Sequence, residues 1–171
     1  MHSRYTIIAL ITALITVIDQ ATKALVLFFI PLYTEIPVIE NVFNLVHVRN
    51  RGAAFGFLNR HDISWQFWLF LAATLVAVAV VIFLARSAKE SDTVFFISLG
   101  LILGGAVGNL IDRVRFREVI DFLDFYHGNY HWPAFNVADI AICCGAALAL
   151  LLSLRRHPDE KARTGTHKEK P

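Results

Sequence analysis

The chain has 171 residues, 56% of them hydrophobic and only 18% charged, with a mean hydropathy of +0.55. A soluble domain carries about 25% charged residues, so this composition excludes an ordinary water-soluble domain and points to the bilayer. A net charge of +2 with no basic stripe interleaved with aromatics excludes nucleic acid as a partner.

Four apolar stretches succeed one another, each close to the roughly 20 residues a helix needs to cross the hydrocarbon. The first runs from about Tyr5 to Ile30 and contains Asp19 and Lys23. Its length, its internal charges and the three later spans predict a retained anchor, not a signal peptide. In residues 31–64 the segment Val42–Arg49 partly alternates apolar and polar residues, and Gly52 and Gly56 punctuate the stretch after it. This predicts short strands or an extended ledge on the outer leaflet. The second span is Trp65–Ala85, without a charge; the third is Thr93–Ile111; the fourth is Phe135–Leu154. Residues 155–171 are polar throughout and predict a disordered tail. The expected fold is therefore an all-α integral membrane protein of four transmembrane helices, with one membrane domain over residues 1–154.

Lys and Arg in the loops set orientation. Arg4, Arg86, Lys89, Arg155, Arg156, Lys161, Arg163, Lys168 and Lys170 fall on one side; Arg49, Arg51, Arg60, Arg113, Arg115 and Arg117 fall on the other. The excess predicts that both termini are cytoplasmic.

Charged side chains at membrane depth cost several kcal/mol and are functional candidates. Asp19 and Lys23 lie four apart on one helical face, which suits a mutually neutralising pair inside the bundle. Asn109, Asp112 and Arg113 share one face at the end of the third span. For Asp112 the favoured role is a polar cluster holding helices together. Gly100, Gly104 and Gly108 repeat every fourth residue and predict a seam of close helix packing.

Two carboxylates stand out. Asp121, just after the third span, and Asp139, at the start of the fourth, are 18 residues apart in sequence. Antiparallel neighbouring spans bring both to the same outer interface. Asn136 precedes Asp139 by three and shares its helical face. Two carboxylates at a partly desolvated site cannot both ionise easily, which leaves one acid and one base and suits hydrolysis. Singly, either aspartate is equally well a cap or a surface charge; Asp139 in particular suits a local cap. Asp124, three residues after Asp121, is assigned a surface role. Cys143 and Cys144 are adjacent and diverge on a helix, so no disulfide is expected. No His/Cys spacing suits a metal, and neither a metal nor another cofactor is expected.

Five blocks in order resemble the signal peptidase II family of bacterial aspartic peptidases: D-Q-A-T-K (19–23), R-N-R-G-A-A-F (49–55), G-G-A-V-G-N-L-I-D-R (104–113), V-I-D-F (119–122) and F-N-V-A-D (135–139). The resemblance implies Asp121 and Asp139 as the catalytic pair. It implies site-supporting or substrate-binding roles for Asp19, Asn50, Asn109, Arg113 and Asn136, and places Lys23, Gly52, Ala53, Ala54 and Phe55 in matching blocks. It further implies a periplasmic β-rich platform from residues 31–64 and a short interfacial helix near Phe122–Tyr126. The implied substrate is a diacylglyceryl-modified prolipoprotein cut just before its lipidated cysteine. The implied setting is the bacterial inner membrane, with a monomeric enzyme in contact with membrane lipid and its active site at the periplasmic face.

Two other classes compete. A small transporter or proton conductor would use Asp19, Asp112, Asp121 and Asp139 as a relay, but the chain has no inverted repeat. A non-catalytic scaffold would use the same residues as interhelical glue.

Overall fold

A computed structural model describes residues 3–52 and 65–165, with side chains described as far as residue 154. Four helices carry the apolar runs: α1 (Arg4–Phe29), α2 (Gln66–Ser87), α3 (Thr93–Phe116) and α4 (Val137–Gly165). Each is long and apolar enough to cross a membrane. Helices satisfy every backbone hydrogen bond internally, which hydrocarbon demands. Half of the apolar window of α3 is buried by protein, against 6% for α2, so α3 is the central helix.

The glycine seam fixes how α1 meets α3. A Cβ added at Gly100 would lie 2.7 Å from Ile11 Cβ, and one at Gly104 would lie 2.7 Å from Ile15 Cβ. The close approach brings α1 side chains onto the glycine carbonyls. Thr12 Oγ1 donates to Gly100 O (3.3 Å), Thr16 Oγ1 to Gly104 O (3.2 Å) and Gln20 Nε2 to Gly108 O (3.1 Å). Residue numbers rise together along both helices, so α1 and α3 run parallel in fixed register. Gly105 opens the other face of α3 to the Ala138 carbonyl of α4.

At one end of the bundle lies an antiparallel sheet in the order β1 (Glu35–Ile39), β2 (Phe43–Asn50), β3 (Val119–His127) and β4 (Tyr130–His131). The ledge expected from Val42–Arg49 is strand β2. Arg117, at φ 64°, ends α3 in the left-handed region and turns the chain into β3.

Four expectations are corrected. The segment Phe122–Tyr126 is not a helix but part of β3, pairing Leu123 with Leu45 and Asp121 with Val48. Strand β3 opens on β-branched Val119 and Ile120 and continues with aromatics, and it packs against α1: Val26 and Ile30 cluster with Ile120 and Phe122. Asp124 is not a surface residue: it is 5% exposed and accepts hydrogen bonds from Asn44 Nδ2 (3.1 Å) and from His131 Nδ1 (2.9 Å). Finally, α4 continues as helix to Gly165, so the polar stretch expected to be disordered is helical that far. Residues 166–171 lie outside the described residues. The third span also runs further than expected, with α3 ending at Phe116.

Candidate active site

The carboxylates of Asp121 and Asp139 reach one site because β3 is tied to the residue preceding Asn136 and α4. The amides of Phe122 and Leu123 donate to Phe135 O (3.0 and 2.9 Å), and Phe135 N returns a bond to Leu123 O (3.1 Å). Asn136 thereby lies beside Asp121. Its Nδ2 donates to Asp121 Oδ1 at 2.7 Å.

Asn136 also begins α4. Its Oδ1 accepts the Asp139 amide (3.0 Å), while Asp139 Oδ2 accepts the Asn136 amide (3.1 Å). This reciprocal pattern is a capping box with an aspartate at the third helical position. The local cap foreseen for Asp139 is thus real, and it coexists with the site: Asp139 Oδ1 remains for Asn109 Nδ2 at 2.9 Å. One fully buried asparagine therefore orients both carboxylates.

The rest of the site lies on α1, β2 and α3. Asn50 Nδ2 donates to Asp121 Oδ2 (3.3 Å), and Asn50 Oδ1 accepts the Gly52 amide (2.8 Å). Arg113 Nη2 donates to Gly52 O (3.0 Å), and its guanidinium lies 3.9 Å from the Phe70 ring centroid on α2. Arg113 is within electrostatic reach of both Asp139 and Asp121. Asn109 Oδ1 accepts Lys23 Nζ (2.9 Å) and Asn136 Nδ2 (3.2 Å), so its amide nitrogen must face Asp139. Behind them Lys23 bridges Asp19 (2.9 Å) and Asp112 (2.8 Å), all three buried. Among the sequence candidates, Ala53, Ala54 and Phe55 lie outside the described residues.

Burial pushes the Asp121 carboxyl up to about 7, and the negative charge of Asp139 pushes the same way; hydrogen bonds from Asn136 and Asn50 and the charge of Lys23 oppose them. Asp121 thus holds its proton to far higher pH than an ordinary carboxyl and is still about half protonated near pH 7. Asp124 stands apart: β3 is regular here, the irregularity falling between Leu45 and Val48, and residues three apart on a strand face opposite sides.

Two participants escaped the sequence reading. Gln20 donates to Asp19 Oδ2 (3.2 Å) and Asp112 Oδ1 (2.9 Å). As a polar residue within an apolar span it carried a signal. Phe70 carried none, since one aromatic in an uncharged span is unremarkable.

The bundle and site define a multi-pass membrane protein with two carboxylates held at one end by asparagines. Comparison with known proteins agrees. A family model described as signal peptidase (SPase) II matches residues 11–155. A lipoprotein signal peptidase of Nitratidesulfovibrio vulgaris (strain DP4) is 56% identical over 92% of this chain and 95% of its own length. One of Oleidesulfovibrio alaskensis is 58% identical over 88% of this chain and 96% of its own. A solved bacterial membrane enzyme superposes with a TM-score of 0.78 at 26% identity, covering 100% of this chain and 99% of that one. The chain belongs to the signal peptidase II family, aspartic peptidases that remove signal peptides from prolipoproteins.

Proposed function

We propose that the enzyme cuts diacylglyceryl-modified prolipoproteins just before the lipidated cysteine, with Asp121 and Asp139 as its catalytic pair. The observation that carries this is Asn136, which holds both carboxylates while capping the helix that bears one of them.

Asp139 acts as the base and takes a proton from a water whose oxygen attacks the scissile carbonyl carbon. Asp121, whose raised pKa leaves a large protonated fraction up to about pH 7, gives its proton to the carbonyl oxygen. As the tetrahedral intermediate collapses, Asp139 passes its proton to the leaving nitrogen and Asp121 recovers its own from the hydroxyl. The carbon–nitrogen bond breaks, giving a carboxylic acid and a new amino terminus, and both aspartates return to their starting states. Asn109 Nδ2 and the Asn136 amide keep Asp139 aimed; Arg113, always charged and forked, suits a substrate carbonyl.

The membrane setting supports the substrate class. A lipid-anchored peptide holds its scissile bond near headgroup level, at the bundle end where the sheet lies. The excess of Lys and Arg on the terminal side supports cytoplasmic termini and an active site at the periplasmic face of the inner membrane. By the same family resemblance we take the enzyme as a monomer working in contact with membrane lipid. The test is cleavage of a lipidated lipobox peptide by purified enzyme. Asp121→Asn and Asp139→Asn should each abolish it while folding is retained, since an amide is neither acid nor base. Graded activity that tracks lost stability would instead make these residues interhelical glue.

A further inference from the structure

Three buried side chains take no part in the proton transfers, yet they lie directly behind the pair. Lys23 donates to Asp19 Oδ2 (2.9 Å), Asp112 Oδ2 (2.8 Å) and Asn109 Oδ1 (2.9 Å), which uses all three ammonium protons. Neutralising Lys23 needs one carboxylate; a second is an extra charge at membrane depth, where charge is costly. The use of the second carboxylate is visible in the remaining bonds. Asp112 Oδ2 accepts the amide of Ile120 at 3.2 Å, and Asp19 Oδ1 accepts the amide of Ala138 at 2.9 Å. Ile120 and Ala138 are the residues immediately before Asp121 and Asp139.

We infer that Asp19 and Asp112 are paired positioning residues, each gripping the peptide N–H one residue ahead of a catalytic aspartate, with Lys23 locking the two grips together and to Asn109. The inference rests on the assignment of the Asp121–Asp139 pair above.

The grip is effective because the peptide plane is rigid. With the amide of Ile120 or Ala138 held, only the two backbone torsions of that residue separate it from the aspartate after it. Ala138 N belongs to the first turn of α4, whose amides have no helical acceptor. The cap side chain takes the Asp139 amide, and the Ala138 amide is taken instead by a carboxylate from α1. The grip also fixes α1 against α4. Room for it is reserved by Gly108, where a Cβ would fall 2.5 Å from Asp19 Oδ2. Lys23 adds a third point, because its bond to Asn109 Oδ1 determines which way that amide faces Asp139.

A counter-ion role and a positioning role separate in one comparison. Asn and Leu both remove the charge at position 19 or 112 and leave Lys23 one carboxylate, but only Asn accepts a peptide N–H. We measure kcat and KM at equal amounts of folded enzyme for Asp19→Asn, Asp19→Leu, Asp112→Asn and Asp112→Leu, with lipidated lipobox peptide as substrate. The leucine variants should lose kcat by about 100-fold with KM within about threefold, as misplacement of a catalytic group does, and the asparagine variants should stay within about tenfold of wild type. Equal kcat for Asn and Leu overturns the proposal. A folded Asp19→Asn or Asp112→Asn with kcat down more than about 100-fold does so too. Where a leucine variant does not fold, alanine takes its place as the substituent without an acceptor. Asp121→Asn and Asp139→Asn run alongside: activity in either means the catalytic pair was misassigned and takes this inference with it. Inactive pair variants with equal Asn and Leu overturn this inference alone.

Discussion

The protonation of Asp121 gives the sharpest test of the proposed chemistry. If it is the acid, kcat/KM must fall as pH rises through about 7, where its proton leaves. The perturbation is Asn50→Ala. Asn50 Nδ2 donates to Asp121 Oδ2 at 3.3 Å and so favours the ionised form. Removing it favours the protonated form and moves the descending limb to higher pH. A hydrogen bond to a carboxylate is worth about 1.5–3 kcal/mol, and this one is long and partly exposed, so about 1 kcal/mol is appropriate. At about 1.4 kcal/mol per pH unit, the limb should rise by somewhat less than about one unit. The assay is kcat/KM for a lipidated lipobox peptide between pH 5 and 9, which reports the free enzyme. Asn50 also holds the Gly52 amide, so the height of the profile is expected to drop; the position of the limb is the diagnostic quantity. A limb that stays in place or moves to lower pH would refute Asp121 as the acid.

The same raised pKa has a consequence for stability. The folded value lies above the ordinary 3.8, so the protonated form is favoured in the fold; this contribution is complete below about pH 4 and is lost as pH rises through about 7. The displacement corresponds to about 4 kcal/mol. Asp121→Asn should therefore melt above wild type at pH 8, with the difference closing towards pH 4; equal melting temperatures at pH 8 would contradict the desolvation argument. Gly108→Ala should cost about 1–3 kcal/mol, because its Cβ displaces the Asp19 carboxylate from Lys23; thermal unfolding in detergent measures it. Arg113→Lys keeps the charge but loses the fork that reaches Gly52 O and stacks on Phe70, and initial cleavage rates should fall by about 10–100-fold. Equal rates would reduce Arg113 to an interface anchor. Asp124→Asn should keep cleavage within about threefold, because its partners are Asn44 and His131 on the far side of β3.

The four spans were legible because hydrocarbon imposes a length and a composition that sequence displays directly. The glycine seam was legible for a related reason, since only small residues at every fourth position let two helices touch. The polar residues of the site were also visible singly, because each stands where an apolar residue belongs. Their connections were not. Asn136 is a residue three before Asp139 in sequence; that its amide nitrogen reaches Asp121 depends on the bonds of Phe135 to β3. Asp124 follows Asp121 by three, and a helix there would have placed both on one face. Strand pairing with β2 puts them on opposite faces, since the side-chain period is two and not near four. The grips of Asp19 on Ala138 and of Asp112 on Ile120 involve backbone amides, which every residue but proline possesses and which no sequence distinguishes. Sequence thus determined that the chain lies in the membrane and which side chains are out of place there. Only the tertiary structure decided which of them meet, because hydrogen-bond partners are chosen by distance and direction across elements far apart in the chain.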